Sequence, residues 1–271
     1  MRTIVHLSDL HFGRTDDALL EPLAAVVRHI APDLVAVSGD LTQRARIRQF
    51  KAARAFLDQL PKPQIVVPGN HDVPLYDVLS RFARPLAKYR RYVTSDLEPY
   101  YADGEIAALG INTARSLTFK RGRVNARQMG SAQQRLCSLP AEIIKIIVTH
   151  HPFDLPTGHD PADRVGRASL AMEVLSLCRC DLLLAGHLHM SSIGSTVMHH
   201  VDREHEAIIV QAGTATSTRA RGEVNSFNVL RVEQARIEIE RNAWDVALAR
   251  FTPVASESFE RTVTGWKSQR A

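Results

Sequence analysis

Residues that bind metals, phosphates or protons recur at the ends of apolar runs in this chain. The series is Asp9 and His11, then Asp40, then Asn70 and His71, then His150 and His151, then His187 and His189. Imidazoles, carboxylates and one amide oxygen, with no thiolate among them, suit first-row divalent ions such as manganese, iron or zinc. A pair of such ions about 3.5–4 Å apart neutralises a phosphate ester, lowers the pKa of an attacking water and orients in-line displacement. Each element alone has an ordinary explanation. Asp9-Leu10-His11 could be a cap, Gly39-Asp40 a turn, and Asn70-His71-Asp72 after Pro68-Gly69 simple turn chemistry. His150-His151 could be one buried and one exposed histidine. Gly186-His187-Leu188-His189 is the most specific element, because imidazoles at i and i+2 on a strand-end turn rarely arise for packing. Five such endings in one chain are hard to reconcile with capping alone.

The apolar runs explain how distant residues could meet. Residues 3–8, 33–37, 64–67, 105–111, 143–148 and 181–185 read as strands. Helical spacing recurs over 17–31 (Leu20, Leu23, Ala24, Val27, Ile30), 44–60, 125–139 and 170–177, with Pro61 as a stop and Asn125 as an N-cap. Alternating strand and helix with short connections predicts a mostly parallel sheet with right-handed crossovers. In such sheets ligands gather outside the carboxyl ends of the strands. Beyond residue 190 the texture changes. Residues 207–211, 226–232 and 236–241 are β-like, and Arg236-Ile237-Glu238-Ile239-Glu240 alternates strictly, which predicts antiparallel strands of a second sheet. The division expected is one domain over 1–271, with a metal-site α/β portion at 1–189, second-sheet strands at 190–245 and a C-terminal extension at 246–271.

The 271 residues are 45% hydrophobic with a formal net charge of +5, a balance that favours anionic substrates over any charged partner of the same sign. Lys and Arg are scattered, which argues against a nucleic-acid partner. The densest group, Arg44, Arg46, Arg48, Lys51 and Arg54, reads as a solvated helix face. Three cysteines, Cys137, Cys178 and Cys180, lack any ladder spacing and predict free thiols in a reducing compartment. The N-terminal stretch lacks a signal-like apolar run and no segment reaches membrane-spanning length, so the expectation is a cytoplasmic protein without a membrane partner.

Together, Ser8-Asp9-Leu10-His11, Gly39-Asp40, Gly69-Asn70-His71-Asp72, His150-His151-Pro152, Gly186-His187-Leu188-His189 and Gly213-Thr214-Ala215-Thr216-Ser217-Thr218-Arg219 resemble the calcineurin-like metallophosphoesterases. The match is nearest to bacterial class III cyclic nucleotide phosphodiesterases and related glycerophosphodiesterases, and every motif position agrees. The resemblance implies an α/β fold in which a two-sheet β-sandwich is flanked by helices (α/β/β/α). It implies a hydrolase with two divalent metal ions per chain, one held by Asp9, His11, Asp40 and His189, the other by Asp40, Asn70, His150 and His187. Asp40 would bridge, and His71 would serve as general acid. Asn70, His151 and either Arg219 or Arg221 are candidate substrate contacts. The substrate implied is a small phosphodiester, 3′,5′-cyclic nucleotides first. A phosphomonoesterase, a nuclease, or a metal-dependent scaffold are the rival readings, a homodimer is left open, and residues 73–100 and 154–167 are where specificity would reside.

Overall fold

The computed structural model describes residues 1–156, 159–196, 205–219 and 222–269. Its first half builds β1 (Arg2–Leu7), α1 (Leu20–Ile30), β2 (Leu34–Val37), α2 (Ile47–Leu57) and β3 (Gln64–Val66), then α3 (Val78–Ala83) and α4 (Ala87–Tyr92). A second series follows: β4 (Tyr100–Ala102), β5 (Ile106–Gly110), α5 (Ala126–Leu136), β6 (Ile144–Val148), α6 (Ala168–Leu177), β7 (Leu182–Ala185), β8 (Ser192–Ser195) and β9 (Ile208–Gln211). The chain closes with β10 (Ser226–Val232), β11 (Arg236–Asp245), β12 (Arg250–Thr262) and β13 (Gly265–Gln269).

These strands form a seven-stranded sheet, β13-β12-β11-β10-β1-β2-β3, packed on a six-stranded sheet, β4-β5-β6-β7-β9-β8. Strands β1, β2 and β3 run parallel, as do β5, β6, β7 and β9. The continuous apolar runs follow from burial on both faces. Ile4, Ala36, Ile146 and Leu184 point between the sheets. Val5 and Val37 point outward under α1 and α2, and Ile147 and Leu183 under α5 and α6. Three apolar layers thus separate four layers of structure, the helix-flanked sandwich expected from the sequence.

Helix ends are chemically specified. At α5, Asn125 accepts from the Gln128 amide at 2.9 Å while the Gln128 side chain accepts from the Asn125 amide at 3.2 Å, a reciprocal capping box. Helix α1 ends at Ala31, in the left-handed region, whose N–H returns to the carbonyls of Val27 and Arg28.

The sequence misplaces the C-terminal third. Strands β10 and β11 do not build the second sheet; β10 pairs antiparallel with β1, Ile4 facing Leu230, and among the described residues of the 190–245 segment only β8 and β9 join the sheet of β5 to β7. Residues 246–271 are no extension either, since they carry β12 and β13. Trp266 on β13 is 1% exposed and donates from Nε1 to Asp181 Oδ1 at 2.8 Å, tying it to the start of β7. Alternation fixes which face of a strand is wet but not which strand is its neighbour. Cys137 and Cys178, expected as free thiols, form a disulfide that joins the C-terminal ends of α5 and α6, and Cys180 is a buried free thiol. That bond removes the cysteine argument for a reducing compartment. Among the described residues no helix is long and apolar enough to cross a membrane.

Candidate metal centre

The carboxyl ends of β1, β2, β3, β6 and β7 open on one edge of the sandwich, and the five motif groups meet there. His189 Nε2 lies 3.1 Å from Asp9 Oδ1 and 3.2 Å from His11 Nε2. His11 Nε2 is 3.4 Å from Asp9 Oδ1 and 3.7 Å from Asp40 Oδ2. On the other side of Asp40, His150 Nε2 is 3.4 Å from the same Oδ2 and 3.1 Å from Asn70 Oδ1. The ring of His187 packs edge-on to that of His150, with centroids 5.1 Å apart. Asp40 Oδ2 therefore stands between two groups of donors.

The backbone is strained to achieve this. Asp9, His11, Asp40, His187 and His189 all have φ between 49° and 76°. For residues with a Cβ that conformation costs about 1–2 kcal/mol each, and such strain collects where function over-determines geometry. Space is also cleared: a Cβ on Gly69 would lie 2.1 Å from Asp40 Oδ1, and one on Gly186 1.8 Å from Ser8 Oγ.

Neighbouring groups fix which atom of each side chain is left to bind. Ser8 Oγ and the His187 amide donate to Asp9 Oδ2, leaving Oδ1 buried without a hydrogen bond. The His71 amide donates to Asp40 Oδ1 at 2.8 Å, leaving Oδ2. The Ser38 carbonyl accepts from His150 Nδ1 and the Arg219 carbonyl from His189 Nδ1, so both rings present Nε2. Burial opposes ionisation of Asp9 and Asp40, but the imidazoles around them hold both carboxyls well below the usual range. Burial, together with the charge of His150, pushes His187 down to about 3, so it presents a neutral imidazole. Two anionic oxygens, a neutral amide oxygen and converging imidazole nitrogens, one buried oxygen unpartnered, are a donor set that fits divalent metal ions.

Asp72 accepts four hydrogen bonds, from the amides of Leu41, Thr42 and Gly69 and from Thr42 Oγ1, all within 3.1 Å. It clasps the loop after β2 to the loop after β3. Burial and the charge of Asp40 push its carboxyl up to about 7 against those four donors. The sequence shows Asp72 beside the ligand candidates but not this clamp.

His71 stands at the opening of the centre. Its Nδ1 donates to the Gln43 carbonyl at 2.9 Å, and its Nε2 accepts from Arg219 Nη1 at 3.0 Å. Burial lowers its pKa, with His11 and Arg219 adding to the effect against the opposing charge of Asp40. A cavity of about 260 Å³ opens beside it, lined in part by Asn70, Arg44, Lys120 and Arg219. Arg44 precedes α2 and lines this cavity instead of a solvated helix face. The signal in the sequence was its place on the strand-end loop that carries Asp40. Arg221 lies outside the described residues. His151, expected among the substrate contacts, is fully buried, and its Nδ1 and Nε2 are engaged with Thr113 Oγ1 and the Lys120 carbonyl, each at 2.8 Å. Its nitrogens come near those of His150 and His187, but it has none to offer a ligand or substrate and instead backs the ring of His187.

The fold and the strand-end cluster define a class, and residues 2–191 match the calcineurin-like phosphoesterase model: the chain belongs to that family. Glycerophosphodiester phosphodiesterase GpdQ of Enterobacter lignolyticus is 34% identical over 80 residues, 26% of this chain and 29% of GpdQ. A probable cyclic nucleotide phosphodiesterase of Synechococcus is 28% identical over 208 residues, 70% of this chain and 74% of that protein. The chain thus spans under a third of the first and about three quarters of the second. The purple acid phosphatase PPD1 from yellow lupin superposes with a TM-score of 0.73 at 13% identity, over 95% of this chain and 53% of its own, a likeness of fold.

Proposed function

We propose that the chain is a dinuclear metal-dependent phosphodiesterase acting on small phosphodiesters, with 3′,5′-cyclic nucleotides and glycerophosphodiesters the first candidates. The observation that carries this reading is Asp40 Oδ2, set 3.7 Å from His11 Nε2 and 3.4 Å from His150 Nε2. One carboxylate can serve both donor groups, so Asp9, His11, Asp40 and His189 would hold one ion and Asp40, Asn70, His150 and His187 the other. Manganese, iron and zinc all suit these ligands. Bound there, the ions supply charge neutralisation and a more acidic attacking water.

The chain's own residues do the rest. Arg219 and Arg44 offer planar donor forks to the non-bridging phosphate oxygens. The Gln43 carbonyl keeps the His71 proton on Nδ1, so Nε2 faces the cavity. An anionic phosphate entering there draws the Arg219 guanidinium to itself and favours the imidazolium, whose Nε2 proton then passes to the departing alkoxide. A cavity of about 260 Å³ suits a small diester better than a nucleic-acid strand. The names of the Enterobacter and Synechococcus relatives agree with a diester substrate.

The test is a substrate panel with manganese-loaded protein: bis(p-nitrophenyl) phosphate, p-nitrophenyl phosphate, cyclic AMP and a glycerophosphodiester. Diesters should turn over faster than the monoester. Preference for the monoester, or inertness toward all four with metal bound, would overturn the reading.

A further inference from the structure

Large exposed apolar side chains are concentrated on two segments beside the centre, Tyr76 with helix α3 and the loop of Leu117 and Phe119. Leu79, Leu117, Tyr76 and Phe119 are 83%, 81%, 74% and 61% exposed, and Val78 and Phe82 are exposed beside them. Nothing in the packing of the sandwich calls for them. On α3, Phe82 follows Val78 by four residues and Leu79 by three, and all three are exposed on one side, while Arg81 is turned into the protein.

Arg81 is 2% exposed. Its guanidinium donates to the carbonyls of Pro74, Ser116 and Thr118 at 2.8–3.0 Å and lies 4.3 Å from the centroid of the Phe119 ring. A buried cation thus clasps the segment of Tyr76 and α3 to the loop carrying Leu117 and Phe119. The apolar surface is held in place before any ligand arrives, which lowers the ordering cost of binding.

The surface is continuous with the metal-site cavity. Val73, Leu75 and Phe119 line that cavity together with Asn70, His71 and Arg219. Arg44, also in its wall, stacks on Tyr76 with its guanidinium 5.8 Å from the ring centroid. A track therefore leads from a cationic pocket that suits a phosphate out across an apolar shelf.

Resting on the phosphodiesterase reading, we infer that the preferred substrates carry a long alkyl or acyl-bearing group on one ester oxygen, seated on the shelf of Tyr76, Leu79, Phe82, Leu117 and Phe119. An anionic head beside an apolar arm matches the order of charge and apolar surface along the track. A protein partner or second copy on this shelf would cover the cavity that Phe119 and Arg44 line, and so would obstruct the centre it adjoins.

The experiment uses manganese-loaded enzyme and p-nitrophenyl alkyl phosphodiesters with ethyl, butyl and octyl groups, each below its aggregation threshold. The leaving group is constant, so only the arm changes. Full burial is worth about fourfold per methylene, and partial burial on an open shelf should still raise kcat/KM roughly a hundredfold from ethyl to octyl. In the Leu79→Ser/Leu117→Ser variant the chain-length dependence should flatten while the ethyl ester is cleaved as before, which also shows that the variant folds. Hydrolysis with no dependence on chain length in the wild type overturns this inference alone. If the wild type is flat and light scattering shows a dimer that the variant dissociates, the shelf is an interface between copies. Failure on every ester overturns the phosphodiesterase reading and this inference with it.

Discussion

Arg219 donates from Nη1 to Nε2 of His71 across 3.0 Å, so the two cavity-facing groups best placed to meet a phosphate are held against each other. Arg219→Ala should free His71 and remove one fork for the phosphate. A hydrogen bond to a charged group contributes about 1.5–3 kcal/mol, so kcat/KM on bis(p-nitrophenyl) phosphate should fall roughly ten- to hundredfold. The backbone carbonyl that accepts from His189 Nδ1 survives the substitution, and metal content should not change. Arg219→Lys should recover little, because a point charge does not replace a planar fork. Unaltered kinetics in Arg219→Ala would remove it from the phosphate site.

His71 separates acid catalysis from metal binding. An alkoxide leaving group is strongly basic and needs a proton in the transition state, whereas nitrophenolate leaves without one. His71→Ala should lose about 10²–10⁴-fold in kcat on a cyclic nucleotide or glycerophosphodiester and distinctly less on bis(p-nitrophenyl) phosphate, with metal retained. Both are measured at saturation so that binding differences do not enter. Equal losses on the two substrates would assign His71 to charge stabilisation at the phosphoryl group.

Much of this site was legible because strand-end chemistry is local. A buried strand must be apolar, so the polar residue that follows it stands out, and a parallel sheet brings such residues to one edge. Asp9, Asp40, Asn70, His150, His187 and His189 were all visible on that ground. Long-range pairing leaves no comparable mark. Ile4 opposite Leu230 and the Cys137–Cys178 bond depend on which surfaces meet in space, and β-branched alternation is the same for either sheet. The clamp at Asp72 and the blocked nitrogens of His151 were hidden for a similar reason. Their roles lie in hydrogen-bond partners from other segments, Leu41, Thr42, Thr113 and Lys120, and not in residue type.

The corrected topology changes what truncation should do. A chain ending before β10 loses the antiparallel partner of β1 along Arg2 to His6 and uncovers Ile4 at a new sheet edge. It also loses Phe227, Val229, Leu230 and Ile237 from two apolar layers. An unpaired apolar edge of that kind aggregates. Expression should yield insoluble protein, checked by sedimentation and circular dichroism. A soluble fragment that still hydrolyses diesters would show that the chain up to β10 folds as a unit of its own.

The central claim is that Asp40 belongs to two metal sites at once. Elemental analysis of purified, metal-loaded protein tests it without reference to any substrate. Wild type should hold about two ions per chain, as a two-metal hydrolytic site requires. His189→Ala removes a donor from one group only and should keep about one. Asp40→Ala, which withdraws the shared Oδ2, should keep almost none while retaining its folded circular dichroism spectrum. Full occupancy of both ions in Asp40→Ala would contradict the account.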